Sequence, residues 1–215
     1  MGVIRKLLLA GVAGVSMAVV ATASAQQPSP VADSSFVLPD GERVLELSVV
    51  VPAPIDAVWA LFTTTDGWTS WAAPVGRVDA RVGGVIESSY DPKVALGSSA
   101  TIKNEIIALV PRRLLVIRNV QAPPNAAFDV PTFQRLQTAL WFESVEGGNT
   151  RVTLVNAGYR DGAAYDGVYR HFLAGNRWTL EQLVRRFITG PVDWAKMLAP
   201  PKREAKPVAE PASTK

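Results

Sequence analysis

Residues 163–189 read AAYDGVYRHFLAGNRWTLEQLVRRFIT, a stretch without proline whose apolar positions decide the fold. Tyr165, Tyr169, Phe172, Leu173, Leu180, Leu183, Val184 and Phe187 recur at helical steps. Arg170, Arg177, Glu181, Arg185 and Arg186 fall mostly between them. The spacing predicts one long amphipathic helix, and Gly190-Pro191 ends it. Its apolar stripe needs a cover, and the only sizeable partner the chain offers is a sheet.

Upstream, the pattern changes to period two. Glu42–Val51 alternates and is rich in β-branched residues, so it reads as a strand that Pro52 stops. Pro54 opens a short helix carrying Ile55, Val58, Trp59 and Phe62 at helical spacing. Asp66–Trp71 reads as a second short helix or turn. Val75–Ala80 and Val85–Tyr90 follow as strands joined at Gly83-Gly84. Ala100–Leu109 and Arg113–Val120 flank the tight turn Val110-Pro111-Arg112, and residues 122–126 form a loop. Phe133–Val145 alternates, turns at 146–149, and returns as Thr150–Gly158. The expected class is α+β: a curved antiparallel sheet of about six or seven strands around a long C-terminal helix. One or two short helices follow the first strand.

The ends differ in kind from this body. Arg5-Lys6, the apolar run Leu7–Val20 and the small-residue site Ala23-Ser24-Ala25 describe a secretory signal peptide cleaved after Ala25. The expected organisation is a signal at 1–25, a flexible linker at 26–41, a domain at 42–190 and a disordered Pro/Ala/Lys-rich tail at 191–215. The expected location is periplasmic or secreted, with no stable membrane insertion after cleavage.

The chain has 22 Lys and Arg, 19 Asp and Glu, one His and no Cys. Without Cys there are no disulfides, thiolate nucleophiles or Cys-held metals, so an exported domain must rest on its own core. Two bases sit in the leader and five in the tail, leaving the body 26–190 with fifteen bases against sixteen acids. A nucleic-acid binder would carry its positive field on the folded domain, so none is expected. No phosphate loop, dinucleotide fingerprint, nucleophile elbow, calcium loop or HExxH occurs in the sequence. No cofactor and no metal site are expected.

Four phrases in order carry a resemblance. They are residues 51–62 (VPAPIDAVWALF), 67–71 (GWTSW), 104–115 (NEIIALVPRRLL) and 149–158 (NTRVTLVNAG), the last followed by the long helix. Together they resemble the START-like or SRPBCC superfamily, whose helix-grip fold wraps a sheet around a C-terminal helix. Within it, the chain is similar to the branch of activators of the heat-shock-protein-90 ATPase and their bacterial homologues. The resemblance covers about residues 42–189. It implies a cavity between sheet and helix suited to a lipid-like, polyketide or aromatic ligand. Such bacterial domains are commonly cytoplasmic, so an exported member would be out of reach of a cytosolic chaperone.

Candidate ligand-binding residues are Trp68, Trp71, Tyr90, Asn104, Arg118, Trp141, Tyr159, Tyr169 and Phe172. Trp68 and Trp71 lie between elements and suit a mouth or wall. Trp59, Trp141 and Trp178 sit on periodic stripes and read as packing. Tyr90, Asn104, Asn156 and Tyr159 are polar residues towards strand ends. An inward Arg118 would fork onto a ligand carboxylate, while an outward one is a solvated charge. The alternation of Leu115, Ile117 and Asn119 against Leu114, Val116 and Arg118 does not choose between them.

No catalytic residue is assigned. His171 is the only imidazole, and Asp166, five residues earlier, is poorly spaced to orient it. Asp161 and Asp166 suit the helix dipole, and Glu105, Asp129 and Glu143 have no dictated partner. Three readings remain. The first is a binding module for a small hydrophobic ligand, which needs an apolar cavity. The second is a cyclase- or hydrolase-type enzyme, which needs an ionisable group beside a second polar group in that cavity. The third is a co-chaperone-like interaction protein with an unidentified partner, which needs an exposed apolar patch.

Overall fold

The computed structural model describes residues 29–199; the expected signal peptide lies outside them, as does residue 200 onward. Strands β1 (Ala32–Asp33) and β2 (Phe36–Val37) precede β3 (Arg43–Val51), which puts Leu45, Leu47, Val49 and Val51 into the core at every second residue. Helices α1 (Ile55–Thr63) and α2 (Thr65–Thr69) meet at Thr64, whose hydroxyl accepts from the Gly67 N–H and caps α2. Strands β4 (Val75–Val78), β5 (Val85–Ser89), β6 (Ile102–Val110) and β7 (Leu114–Gln121) then run back and forth. After the one-turn helix α3 (Val130–Phe133) come β8 (Gln137–Val145), a 3-10 turn at 146–148, β9 (Asn149–Tyr159) and α4 (Ala163–Thr189). A last turn, α5, spans Trp194–Met197.

Every strand pairing is antiparallel, in the order β1-β3-β9-β8-β7-β6-β5-β4, with β2 also on β3. The register shifts between Lys103 and Asn104, between Ile106 and Ala108, and between Arg43 and Leu45. Such bulges bend and twist a sheet. The concave face receives α4, about 40 Å long, through Val168, Leu180, Leu183 and Val184. Leu45, Leu47, Leu115, Ile106 and Leu154 meet them from the sheet. This is the expected α+β helix-grip arrangement.

Three boundaries differ from the sequence reading. Residues 29–41 do not behave as a linker. Val31 is buried in the core, Ala32 and Phe36 lie opposite Ser48 and Val44, and Arg177 on α4 binds Val31 O and Asp33. Two-residue strands are too short for a period, and the open edge of β3 supplies their partner. Residues 191–199 are likewise held. Trp194 Nε1 donates to Thr69 O at 2.7 Å and the Val192 N–H to Ser70 O at 2.9 Å. Finally, β8 begins at Gln137 rather than Phe133. Asp129 accepts from the Thr132 N–H at 2.8 Å, caps α3, and turns Phe133 towards α4.

Candidate functional site

Between the concave sheet and α4 lies a cavity of about 360 Å³. Its first wall descends from the α1–α2 corner. Trp68 and Trp71 meet edge to face with centroids 5.7 Å apart, and Phe62 packs 5.0 Å from Trp71. Trp71 is 1% exposed and donates from Nε1 to Leu61 O at 3.1 Å. Trp68 donates to the Ser88 hydroxyl on β5 at 2.8 Å. Its ring also explains Gly76 on β4, where a Cβ would stand 2.8 Å from Trp68 Cδ1.

The second wall comes from α3 and α4. Phe133 and Phe172 stack with planes 12° apart and centroids at 5.5 Å. Phe128 packs 4.8 Å from His171 and 5.5 Å from Phe172. Partial burial lowers the His171 pKa, favouring the neutral imidazole. Gly175, Asn176, Trp178 and Thr179 continue this side along α4. The floor is the sheet: Ile102 and Asn104 from β6, Ile117 and Asn119 from β7, Thr138 and Leu140 from β8, and Leu154 from β9. Tyr90 closes the remaining side. It is 47% exposed, yet the protein around it raises its phenol pKa through desolvation.

Asn104 and Asn119 face each other across β6 and β7. Asn119 is buried and donates from Nδ2 to Phe133 O at 3.1 Å. Asn104 Oδ1 is buried without a hydrogen-bond partner. Among the described residues the lining contains no Asp, Glu, Lys or Arg, and His171 is its one titratable group besides Tyr90.

The charged neighbours point the other way. Glu87, 1% exposed, sits on the opposite side of β5 from Ser88. Its carboxylate accepts from the Gly97 N–H at 2.6 Å and Thr101 Oγ1 at 2.8 Å, with Arg77 at 3.0 Å and Lys103 at 3.8 Å. Burial pushes its pKa up, but Gly97, Thr101, Lys103 and Arg77 together outweigh that and hold it below the usual value. This cluster pins the loop that follows Tyr90.

Five of the nine candidate residues meet at the cavity: Trp68, Trp71, Tyr90, Asn104 and Phe172. The other four stand elsewhere. Arg118 points outward and pairs with Glu105. Trp141 is 51% exposed on the outer face, beside the Glu143–Arg151 ion pair. Tyr159 is fully buried, donates its hydroxyl to Asn156 Oδ1, and has its phenol pKa raised by burial and by Tyr169, with Arg43 opposing. Tyr169 packs edge-on against it under the Arg43 guanidinium, which pairs with Asp166. These two tyrosines form a separate cluster where β3, β9 and the start of α4 converge. Sequence reading missed Ser88, Asn119, Phe128, Phe133 and Gly175 as wall residues. The one available signal was a polar residue interrupting an apolar strand face, at Ser88 and Asn119.

Residues 52–187 match the family model for "Activator of Hsp90 ATPase homolog 1-like protein". No curated protein matches the chain. Several solved structures resemble it. The Aha1 dimer of Colwellia psychrerythraea is 15% identical with a TM-score of 0.54, over 68% of this chain and 97% of that one. Protein MLL2253 of Mesorhizobium loti is 17% identical at 0.53, over 70% and 100%. CalU16 of Micromonospora echinospora is 21% identical at 0.52, over 88% and 87%. At these identities the likeness speaks to the fold.

Proposed function

The chain belongs to the Activator of Hsp90 ATPase homolog 1-like family within the SRPBCC superfamily, and from that premise we propose a binding module that holds one small hydrophobic ligand in its central cavity. The observation that carries this reading is the cavity itself. Its walls are aromatic, its volume is about 360 Å³, and the Asn104 amide on its floor bonds to no described residue. A core built only for stability would fill such a space, since interiors pack to crystal-like density. An acid–base enzyme would need an ionisable group aligned with a second polar group. His171 instead meets the rings of Phe128 and Phe172, and among the described residues no carboxylate lines the cavity.

The proposal includes export. The leader at 1–25 would deliver the domain to the periplasm or beyond, where its ligand would be met. Activation of a cytosolic ATPase, which the family's name describes, would then require a partner in another compartment.

Native mass spectrometry of the protein purified from its own periplasm tests the reading. The expected result is a folded chain carrying one extra small mass that collisional activation strips off. A bare chain that also fails to take up any apolar aromatic added at saturation would end the proposal.

A further inference from the structure

We infer that the ligand is an uncharged aromatic alcohol of about a dozen non-hydrogen atoms, its hydroxyl seated on the Asn104–Asn119 pair. The inference rests on the binding reading above and names the chemistry of its ligand.

Size comes from the cavity. A volume of about 360 Å³ equals roughly a dozen water-sized shares of liquid. Shape comes from the walls. Trp68 on one side, backed by Trp71, and Phe172 on the other, backed by Phe133, offer rings to a flat apolar body.

Charge comes from what the lining lacks. Lys103, Glu105 and Arg118 lie on the floor strands β6 and β7, and Glu87 on β5 beside Ser88. Each is instead tied into an ion pair away from the cavity. A carboxylate or ammonium entering here would lose its hydration and gain no counter-charge. That disfavours acids and amines against neutral molecules of the same shape.

The head group comes from the two amides. The β6–β7 register places Lys103 opposite Gln121 and Asn104 opposite Asn119, so Val120 is the extra residue of a bulge. The bulge re-aims the strand next to these side chains. Asn119 Nδ2 is used on Phe133 O, and no donor among the described residues reaches its Oδ1. Asn104 Oδ1 is buried out of reach of the cavity, and its Nδ2, with two N–H groups, makes no bond to any described residue. The pair thus offers the Asn119 Oδ1 as an acceptor beside the free N–H groups of Asn104 Nδ2 as donors. A hydroxyl is both at one atom. A bare hydrocarbon would leave the buried amide unmet.

Three matched probes decide it on the purified chain by isothermal titration: 2-naphthol, naphthalene and 2-naphthoate. The naphthol should bind about five-fold or more tighter than naphthalene and at least ten-fold tighter than the naphthoate. Asn104→Leu should bring naphthol down to the naphthalene level and leave naphthalene binding intact. Naphthalene bound as tightly as naphthol overturns the head-group inference while the cavity reading stands. Naphthoate bound tightest overturns it too, since it demands a cation. If none of the three binds, the cavity reading falls with it. The ranking on the unaltered protein carries the test even if Asn104→Leu does not fold.

Discussion

Gly175 allows the cavity to be closed without touching an aromatic wall or the amide pair. It lies inside α4, where glycine costs about 0.8–1 kcal/mol against alanine. A Cβ built there meets no heavy atom within 4 Å. Gly175→Ala therefore gains helix preference with no clash to oppose it, and should stabilise the fold by about 0.5–1 kcal/mol. For a unit of this size that raises Tm by about 1–4 °C. Gly175→Phe gains less from propensity, but its ring enters the void and replaces missing contacts. A ligand of about a dozen atoms, at about −0.5 kcal/mol per atom, binds with a Kd on the order of 100 μM. The phenylalanine should weaken 2-naphthol by more than ten-fold while the variant melts at or above the parent temperature. Gly167 is the control. It too has open space at its Cβ but does not line the cavity, so Gly167→Phe should bind normally. Differential scanning fluorimetry and titration calorimetry on the four proteins make the measurement. Unchanged naphthol binding by Gly175→Phe would refute the siting of the ligand, and a lower Tm for Gly175→Ala would refute the open space.

Two further substitutions separate packing from electrostatics. Trp71→Ala removes a side chain that is both cavity wall and core, so it should cost about 3–5 kcal/mol, read by urea unfolding; a loss under about 1 kcal/mol would contradict its place in the core. Glu87→Gln keeps the shape but puts an amide among four donors, and should cost about 2–3 kcal/mol at pH 7. Because the folded pKa of Glu87 lies below its unfolded value, its contribution is present above the unfolded pKa and is lost as pH falls through the folded one. The Tm gap between parent and variant should thus shrink on acidification below about pH 4.5; a gap that is constant from pH 7 to pH 3 would refute the assignment.

The parts of the fold that were legible in sequence are those long enough to express a period. Helix α4 starts at Ala163 and stops at Thr189, as its apolar spacing and Gly190 dictate, and β3 through β9 follow their alternation to within a few residues. Elements of two to four residues carry no period. β1 and β2 exist because β3 has an edge to pair with, and α5 because Trp194 reaches Thr69 O. Those are tertiary causes, and composition alone makes the same residues look like linker and tail.

The site was half legible for a related reason. Alternation says which residues share a face but not which face is inside. On β7 both faces are apolar near Leu114–Ile117, so only the packing of α4 decides that Ile117 and Asn119 look inward and Arg118 outward. On β8 the same decision sends Trp141 to solvent and Leu140 and Phe142 to the core. Two positions then break alternation itself. Gly158, at φ 104°, lets β9 slip a step, so that Asn156 and Tyr159 are both buried although three residues apart. The bulge beside Asn104 does the same for β6 and β7. A regular ladder would hold its polar side chains at fixed intervals and pair them with neighbours. The bulge instead aligns Asn104 with Asn119 and leaves the Asn104 amide oxygen buried without a partner. An unpaired buried acceptor is costly wherever it occurs. Its occurrence at an irregularity beside the cavity is the reason to treat that irregularity as part of the site.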